Sequence, residues 1–310
     1  MSRTTAEVLN QSAELADYNL FSSHSVLVEA LAREGAAHER AALTALGARL
    51  GSVTMFTLGD AANRNPPQLR AYDRTGARLD AVEFHPAWHE LMRHLIAEGL
   101  HTGPWAQPRP GAHVARAAGY MMWAEVENGT QCPATMSYGA VPALARHGDT
   151  FASWLRLLLS RDYDARFVPA ADKRGALIGM GMTERQGGSD VRTNTTHARP
   201  VNRAGPGREY RLRGQKWFFS APMCDAFLVL AQAAGGLSCF LVPRFRPDGS
   251  VNALRLLRLK DKLGNRSNAS AEVEFDDALG LLVAEEGRGI PAILEMGCTR
   301  GSTTPSARRA

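Results

Sequence analysis

The first half of the chain is dominated by apolar residues that recur every three or four positions, the spacing of a helix with one buried face. This spacing predicts helices over residues 25–50, 85–100, 114–127 and 141–159. Pro86 and Gly99 bracket the second of them, as expected for residues in the first turn of a helix and just past its end. We therefore predict an all-helical N-terminal domain over residues 1–172.

From about residue 173 the apolar pattern changes to a period of two, which is typical of β-strands. Residues 208–219 and 271–275 alternate, and residues 227–231 and 237–242 are short apolar runs next to turn-forming segments. This pattern predicts an antiparallel β domain over residues 173–284, shaped as a barrel or a sandwich. Helices first and strands second indicate the α+β class, since an alternating βαβ order is absent from the pattern.

The last part of the chain predicts a helix that stops early. Residues 285–297 begin a helical pattern whose apolar positions continue for under two turns. Residues 298–310 contain no large apolar residue, which predicts a disordered tail. A helix that begins with an apolar face and ends before burying it leads us to expect a truncated chain that lacks a further helical domain.

Composition narrows the class of protein. Hydrophobic residues make up 45% and charged residues 22% of the 310 residues, as in an average soluble domain. No apolar stretch is long enough to span a membrane, and the N-terminus lacks the apolar run of a signal peptide. The chain has four cysteines, none in CxxC spacing: Cys132, Cys224, Cys239 and Cys298. Scattered cysteines fit a reducing compartment, so we expect a cytoplasmic protein.

The net charge of +5 is concentrated at the end of the chain. Arg300, Arg308 and Arg309 lie in the segment 298–310, which contains no acid, so the rest of the chain carries 5 − 3 = +2. A nearly neutral body offers little electrostatic attraction for nucleic acid.

The segment Met180-Gly-Met-Thr-Glu-Arg-Gln-Gly-Gly-Ser189 is the first candidate for chemistry. Its paired glycines allow backbone N–H groups to approach an anion, and Ser189 adds a hydroxyl donor. The hydroxyl of Thr183 suits a ring nitrogen such as flavin N5. Alone, the segment is also compatible with a plain glycine-rich turn. The candidate cofactor-binding residues here are Met180, Gly181, Met182, Thr183, Gly187, Gly188 and Ser189.

The second candidate is the strand segment 214–220, in which three aromatic residues precede a serine. Trp217, Phe218 and Phe219 offer a flat surface on which a planar isoalloxazine could stack, and Ser220 could donate to it. Because alternate residues of a strand face opposite sides, at least one of the aromatic rings belongs to the core. The two segments lie about 30 residues apart in one β domain, and together they predict a flavin site.

Other sites are disfavoured by spacing. Gly179 begins a partial GxGxxG pattern, but Glu184 interrupts it and no βαβ unit follows. His89 and His94 are five residues apart, which takes them off a common helix face, so we predict no metal site. Glu184 is a conceivable base, but nothing nearby suggests a raised pKa, and we favour a solvated or loop-ordering role. We assign no catalytic residue.

These segments resemble the flavin-binding signatures of the acyl-CoA dehydrogenase superfamily, M-T-E-x-x-x-G-S-D and a K-W-I-T-like strand. Residues 260–269 are similar to the K-x-G-x-R-S segment that follows in that family. Residues 63–67, 72–73, 84–89 and 131–136 resemble the AidB-like, alkylation-response branch. The resemblance covers about residues 10–297.

The resemblance implies an FAD cofactor between the β domain and a C-terminal four-helix bundle. It places Thr183 near the flavin ring and Ser189 near phosphate or substrate, and it places Phe218, Phe219 and Ser220 along the isoalloxazine. Thr183, Ser189 and Ser220 are thereby candidate substrate-binding residues.

The implied reaction is α,β-dehydrogenation of an acyl-CoA thioester. In the family, the catalytic glutamate, the contacts between subunits of the homo-oligomer and the basic DNA-binding surface lie in the bundle. A chain without the bundle is expected to be inactive or impaired. The alternative that the resemblance leaves open is a DNA-binding protective protein of the alkylation-damage response.

Overall fold

The computed structural model describes residues 10–298, so residues 299–310 of the predicted disordered tail lie outside the described part. The helical half contains α1 Ser25–Arg33, α2 Arg40–Leu50, α3 Val53–Arg64, α4 Pro86–Ala97, α5 Gly103–Ala106, α6 Ala112–Val126, α7 Gln131–Ala145 and α8 Gly148–Leu158, with a hairpin of β1 Gln68–Tyr72 and β2 Arg78–Glu83 between α3 and α4. The second half contains β3 Ile178–Gly181, β4 His197–Pro200, β5 Glu209–Ser220, β6 Ala226–Ala233, β7 Gly236–Pro243, β8 Leu254–Leu259, β9 Ser270–Leu282 and α9 Gly289–Cys298. The predicted order, helices and then strands, is confirmed.

Two of the predicted helices are each interrupted. Residues 25–50 divide between α1 and α2, because Gly35 has a φ of 76°, a left-handed conformation that ends α1 and that glycine adopts without strain. Residues 141–159 divide between α7 and α8. Pro142, the second residue of the predicted helix, lies inside α7. The predicted bounds of these two helices were wrong.

The hairpin of β1 and β2 corrects the expectation of an all-helical first domain. Its turn is held by the carboxylate of Asp73, which accepts hydrogen bonds from the backbone N–H groups of Thr75 (2.8 Å) and Ala77 (2.9 Å). Leu69 and Val82 face each other across the hairpin and pack on the core. The signal was present in the sequence as a turn segment between two alternating stretches.

The seven strands of the second half form one curled sheet in the order β3-β5-β4-β6-β7-β9-β8, with further pairing of β3 to β6 and of β5 to β9. Most neighbours are antiparallel, as predicted. However, β3 and β4 both run parallel to β6, so the sheet is mixed. Period-two alternation shows which residues face inward, but it does not specify which strands become neighbours, and this explains the difference.

Helix α7 connects the helical half to the sheet. The hydroxyl of Ser137, on α7, accepts a hydrogen bond from the backbone N–H of Ile178 at 3.0 Å, and both residues are buried. Helix α9 packs on α7 and β7, with Ala292 and Ile293 buried. The start of α9 is therefore covered, contrary to the expectation of an unburied apolar face. We keep 172/173 and 284/285 as proposed domain boundaries.

Candidate functional site

The structure brings the two candidate segments together. Strands β3 and β5 are antiparallel neighbours, with Met180 opposite Ser220 and Gly181 opposite Phe219. Just beyond β3, the backbone N–H of Trp217 donates to the carbonyl of Thr183 at 2.9 Å. The loop that follows β3 and the aromatic end of β5 are therefore parts of one surface. We call residues 182–189 the candidate loop.

A bulge in β5 decides which aromatic rings reach the surface. Lys216 pairs with Val273 and Phe219 pairs with Ala271, so β5 has one more residue than β9 between these two pairs. As a result Trp217 and Phe218 both lie outside the core, and Phe218 is 49% exposed. Strict alternation would have placed these neighbours on opposite faces.

Phe219 belongs to the core and is fully buried. Its ring lies 4.5 Å from that of Phe227 and 6.1 Å from that of Phe275, measured between centroids. Three aromatic residues were predicted to line a flavin. In the structure Trp217 and Phe218 are accessible to a ligand, whereas Phe219 is buried in the core.

The hydroxyl oxygen of Thr183 is buried and has no hydrogen-bond partner within residues 10–298. A buried hydroxyl without a partner destabilises a fold by about 1–3 kcal/mol, so each such atom calls for an explanation such as a bound ligand or water. The loop also passes very close to this residue, because a Cβ at Gly188 would lie 2.5 Å from Cγ2 of Thr183. The residues present therefore fit a ligand that brings its own polar atom to Thr183.

The glycine-rich end of the candidate loop lies at the surface. Glu184 and Gly187 exchange two backbone hydrogen bonds, of 3.1 and 3.2 Å, which close a tight turn. Beyond this turn, Gly187, Gly188 and Ser189 are exposed, whereas Met180, Met182 and Ser220 are half-buried. The turn therefore presents its glycine and serine backbone to solvent, where an anionic group can reach it.

Glu184 is the buried anchor of the candidate loop, with only 1% of its surface exposed. Its carboxylate accepts hydrogen bonds from the backbone N–H groups of Thr195 (2.7 Å) and Thr196 (3.0 Å), from Gln186 Nε2 (2.9 Å) and from Lys216 Nζ (2.8 Å). Burial alone would raise the pKa of Glu184, but the hydrogen bonds from Gln186, Lys216 and Thr196 outweigh burial and lower the pKa to about 2. The loop-ordering role predicted for Glu184 fits this geometry, and the solvated role does not.

Lys216 is the site residue that sequence reasoning missed. Burial lowers the pKa of its ammonium group to about 8, against the opposing effect of Glu184. Besides its bond to Glu184, Lys216 donates to the carbonyl of Met182 at 3.3 Å, and Asn194 Nδ2 donates to the same carbonyl at 2.8 Å. The sequence did contain a signal for this residue, since Lys216 occupies an inward-facing position of an alternating strand, where a buried charge needs a partner.

The segment 260–269 also reaches the aromatic surface. Lys260 Nζ lies 3.4 Å from the ring centroid of Trp217 and 4.7 Å from that of Phe218. Lys260 is also paired with Glu272, at 2.7 Å. The guanidinium carbons of Arg185 and Arg258 also lie over Trp217, 5.0 and 5.8 Å from its ring centroid. Trp217 therefore lies among cationic side chains, and the exposed ring of Phe218 is the more accessible aromatic surface.

The histidines near α4 have structural partners. His85 caps α4 by accepting a hydrogen bond from the backbone N–H of Ala87, and His89 Nδ1 lies 2.7 Å from the hydroxyl of Tyr163. Within the described residues there is no group of three or more histidine, cysteine or acidic side chains that could hold a metal ion. Over the same residues no single helix combines the length and apolar composition needed to cross a membrane, although one pair bent by 61° passes jointly, Ala37–Leu50 with Val53–Arg64.

The helical region and the curled mixed sheet each match a known protein family. Residues 10–165 match the family described as the adaptive response protein AidB N-terminal domain, and residues 179–278 match the acyl-CoA dehydrogenase middle domain. The chain therefore belongs to the acyl-CoA dehydrogenase family, in its AidB branch.

Individual relatives agree with this assignment. The chain is 54% identical to AidB of Escherichia coli (strain K12) over 94% of its own length and 54% of that protein. The crystal structure of Caenorhabditis elegans ACDH-11 in complex with C11-CoA superposes with a TM-score of 0.81 at 26% identity, over 95% of this chain and 51% of that one.

The fold is also shared with a more distant structure. An acyl-CoA dehydrogenase complexed with FAD from Bacillus anthracis superposes with a TM-score of 0.54 at 18% identity, over 68% of this chain and 34% of that one. This likeness shows the fold alone. The chain spans about half the length of E. coli AidB and of ACDH-11.

Proposed function

We propose that this chain supplies one wall of an FAD site in an acyl-CoA dehydrogenase of the AidB type. The observation that carries the proposal is the buried Thr183 hydroxyl, which has no hydrogen-bond partner in the described part of the chain and lies in the candidate loop beside Trp217 and Phe218. The 54% identity to AidB of E. coli supports it.

Each part of the site has a proposed task. The Thr183 hydroxyl donates to a ring nitrogen of the isoalloxazine, and the exposed Gly187–Ser189 turn receives an anionic group of cofactor or substrate. Trp217 and Phe218 shield the ring from water, and Ser220 borders it. The chemistry that bound FAD supplies is acceptance of a hydride from the substrate. The proposed substrate class is an acyl-CoA thioester, as in the ACDH-11 complex with C11-CoA.

We assign no base to the described residues. Glu184 is an unsuitable base because its carboxylate is buried and already accepts hydrogen bonds from several donors. Homo-oligomer formation and DNA binding stay predictions from the resemblance. A cytoplasmic location is part of the proposal and is supported by the free thiols of Cys132, Cys224 and Cys239.

An FAD titration of the purified chain, followed by the fluorescence of the flavin, tests the proposal. We expect saturable binding that Thr183→Val weakens by about tenfold, the effect of losing one hydrogen bond in a buried site. The matched control is Thr57→Val, on the exposed face of α3, which should leave FAD binding unchanged. Equal binding by all three proteins would overturn the role of Thr183, and the absence of saturable binding would overturn the FAD site.

A further inference from the structure

A cleft in the helical half, at the C-terminal end of α4, gathers three arginine side chains. Arg109 precedes α6, Arg116 lies on α6 and Arg161 follows α8, and all three line a cavity of about 210 Å³. A single water molecule needs about 10–15 Å³ of such space, so the cleft has room for a ligand of several atoms. Thr183 and Trp217 of the candidate flavin site do not line it.

The acidic residues of the cleft are already paired. Glu39 binds Arg109, with 2.6 Å between Oε1 and Nε, and Glu98 binds Arg49, with 2.6 Å between Oε1 and Nη2. Each pair is neutral. The carboxylates that line the cleft therefore do not compensate the charges of Arg116 and Arg161, for which no ion pair occurs among residues 10–298.

Arg116 is held in place with spare hydrogen-bonding capacity. Its guanidinium lies over the rings of Tyr138 and Tyr120, 3.7 and 4.5 Å from their centroids, and Nε donates to the carbonyl of Leu100 at 2.7 Å. Atom Nη2 is buried and has no hydrogen-bond partner within the described chain. Burial lowers the pKa of Arg116, as expected for a cation without a facing carboxylate. A buried, uncompensated cation is destabilising unless an anion joins it.

Arg161 adds a second cation at the same place. It lies against Gly99, whose left-handed backbone (φ 70°) and missing side chain leave the guanidinium room, since a Cβ there would be 3.1 Å from Nη2. The pKa of buried His101 falls to about 4, mainly through burial and further through the charges of Arg116 and Arg161. Arg116 and Arg161 both line the cleft, so the two guanidinium groups lie at the same cavity.

We propose that this cleft binds a phosphate group between Arg116 and Arg161. The planar guanidinium fork matches phosphate oxygens, and Arg116 is oriented for such contacts by its two tyrosines before any ligand arrives. A phosphate dianion neutralises both cations, which have no ion pair with any residue that the structure describes, whereas a single carboxylate would leave one uncompensated. The site lies in the helical half and stands independently of the proposed FAD site.

Isothermal titration of the chain with inorganic phosphate at low ionic strength tests this site. We expect one saturable site, which Arg161→Met weakens by about tenfold or more through loss of charge-assisted hydrogen bonds. Arg161→Lys keeps the charge and should bind with intermediate affinity. Arg93→Met removes the same charge from an exposed position on α4 that does not line the cleft, and it should bind as the unmodified chain does. Arg161 is the primary variant because it is exposed, and Arg116→Met is the second.

Competition by AMP distinguishes two sources of the phosphate group. If AMP displaces inorganic phosphate, the site takes an organic phosphate monoester; if it does not, the site takes the free anion, and both results support the proposal. A specific site of this kind should be saturated by about 10 mM phosphate. The absence of saturable binding up to that concentration would overturn the proposal. Equal affinity of the Arg161→Met and Arg93→Met proteins would overturn it as well.

Discussion

Lys216 and Glu184 form an ion pair with 2.8 Å between Nζ and Oε1, and both side chains are wholly excluded from solvent. Removal of two such charges from water costs several kcal/mol for each ion, and only good geometry with additional hydrogen bonds compensates for it. Here Glu184 accepts additional hydrogen bonds from the backbone N–H groups of Thr195 and Thr196. Lys216 donates an additional bond to the carbonyl of Met182. The pair therefore fixes the candidate loop against β5.

Loss of one member of this pair should destabilise the fold strongly. Lys216→Met leaves Glu184 buried without its cation, and we expect the free energy of unfolding to fall by about 3–5 kcal/mol in urea. The Glu184→Gln/Lys216→Met double variant should lose much less than the sum of the two single variants, because no charge is then left unpaired. Additive losses would contradict the coupling of the two residues.

Because of the bulge in β5, we expect two adjacent phenylalanines to differ in how much their substitution by alanine destabilises the fold. Phe219→Ala removes a fully buried ring and should lower the free energy of unfolding by about 3–5 kcal/mol. Phe218→Ala removes a half-exposed ring and should change it by no more than about 0.5 kcal/mol. Phe218→Ala is expected to weaken FAD binding. Similar stability losses in the two variants would show that the register of β5 is wrong.

A buried carboxylate joins the helical half to the segment 260–269. Glu127 accepts hydrogen bonds from the backbone N–H groups of Gly129 (2.6 Å) and Thr130 (2.7 Å) and from the hydroxyl of Ser267. Glu127→Ala leaves three buried donors without an acceptor, and we expect a loss of about 3 kcal/mol or more in urea unfolding. Glu125→Ala, at an exposed position in the last turn of α6 and two residues before Glu127, is the matched control and should lose under about 1 kcal/mol. Equal losses of unfolding free energy in the Glu127→Ala and Glu125→Ala proteins would contradict the role of Glu127 in joining the two segments.

The lowered pKa of His101 leads us to expect that the stability of the fold depends on pH. Burial is the main reason that its pKa falls from 6.5 to about 4, so between these values the unfolded chain binds a proton that the folded chain does not. Stability is therefore lost as the pH falls from 6.5 towards 4. We expect the unmodified chain to lose about 2 kcal/mol more than His101→Gln between about pH 7 and about pH 5. The same loss in both proteins, measured by urea unfolding, would contradict this assignment.

The sequence predicts the order of the helices and strands, but it does not predict the register of the sheet. The change of period near residue 173 gives the order of helices and strands, and the resemblance of two short segments brings Thr183 and Trp217 to one surface, where the structure also has them. The bulge at Trp217 and Phe218 depends on the register between β5 and β9, which local alternation does not contain. The burial of Lys216 depends in the same way on a partner 32 residues away.

The central claim is that the candidate loop and the bulged end of β5 form one wall of an FAD site. Hydrogen–deuterium exchange of the chain, with and without saturating FAD, tests it most directly because it locates the ligand. We predict slower exchange in residues 182–189 and 217–220 when FAD is added, and a smaller effect in the Thr183→Val protein. Unchanged exchange in both segments under conditions where FAD is bound would contradict the claim.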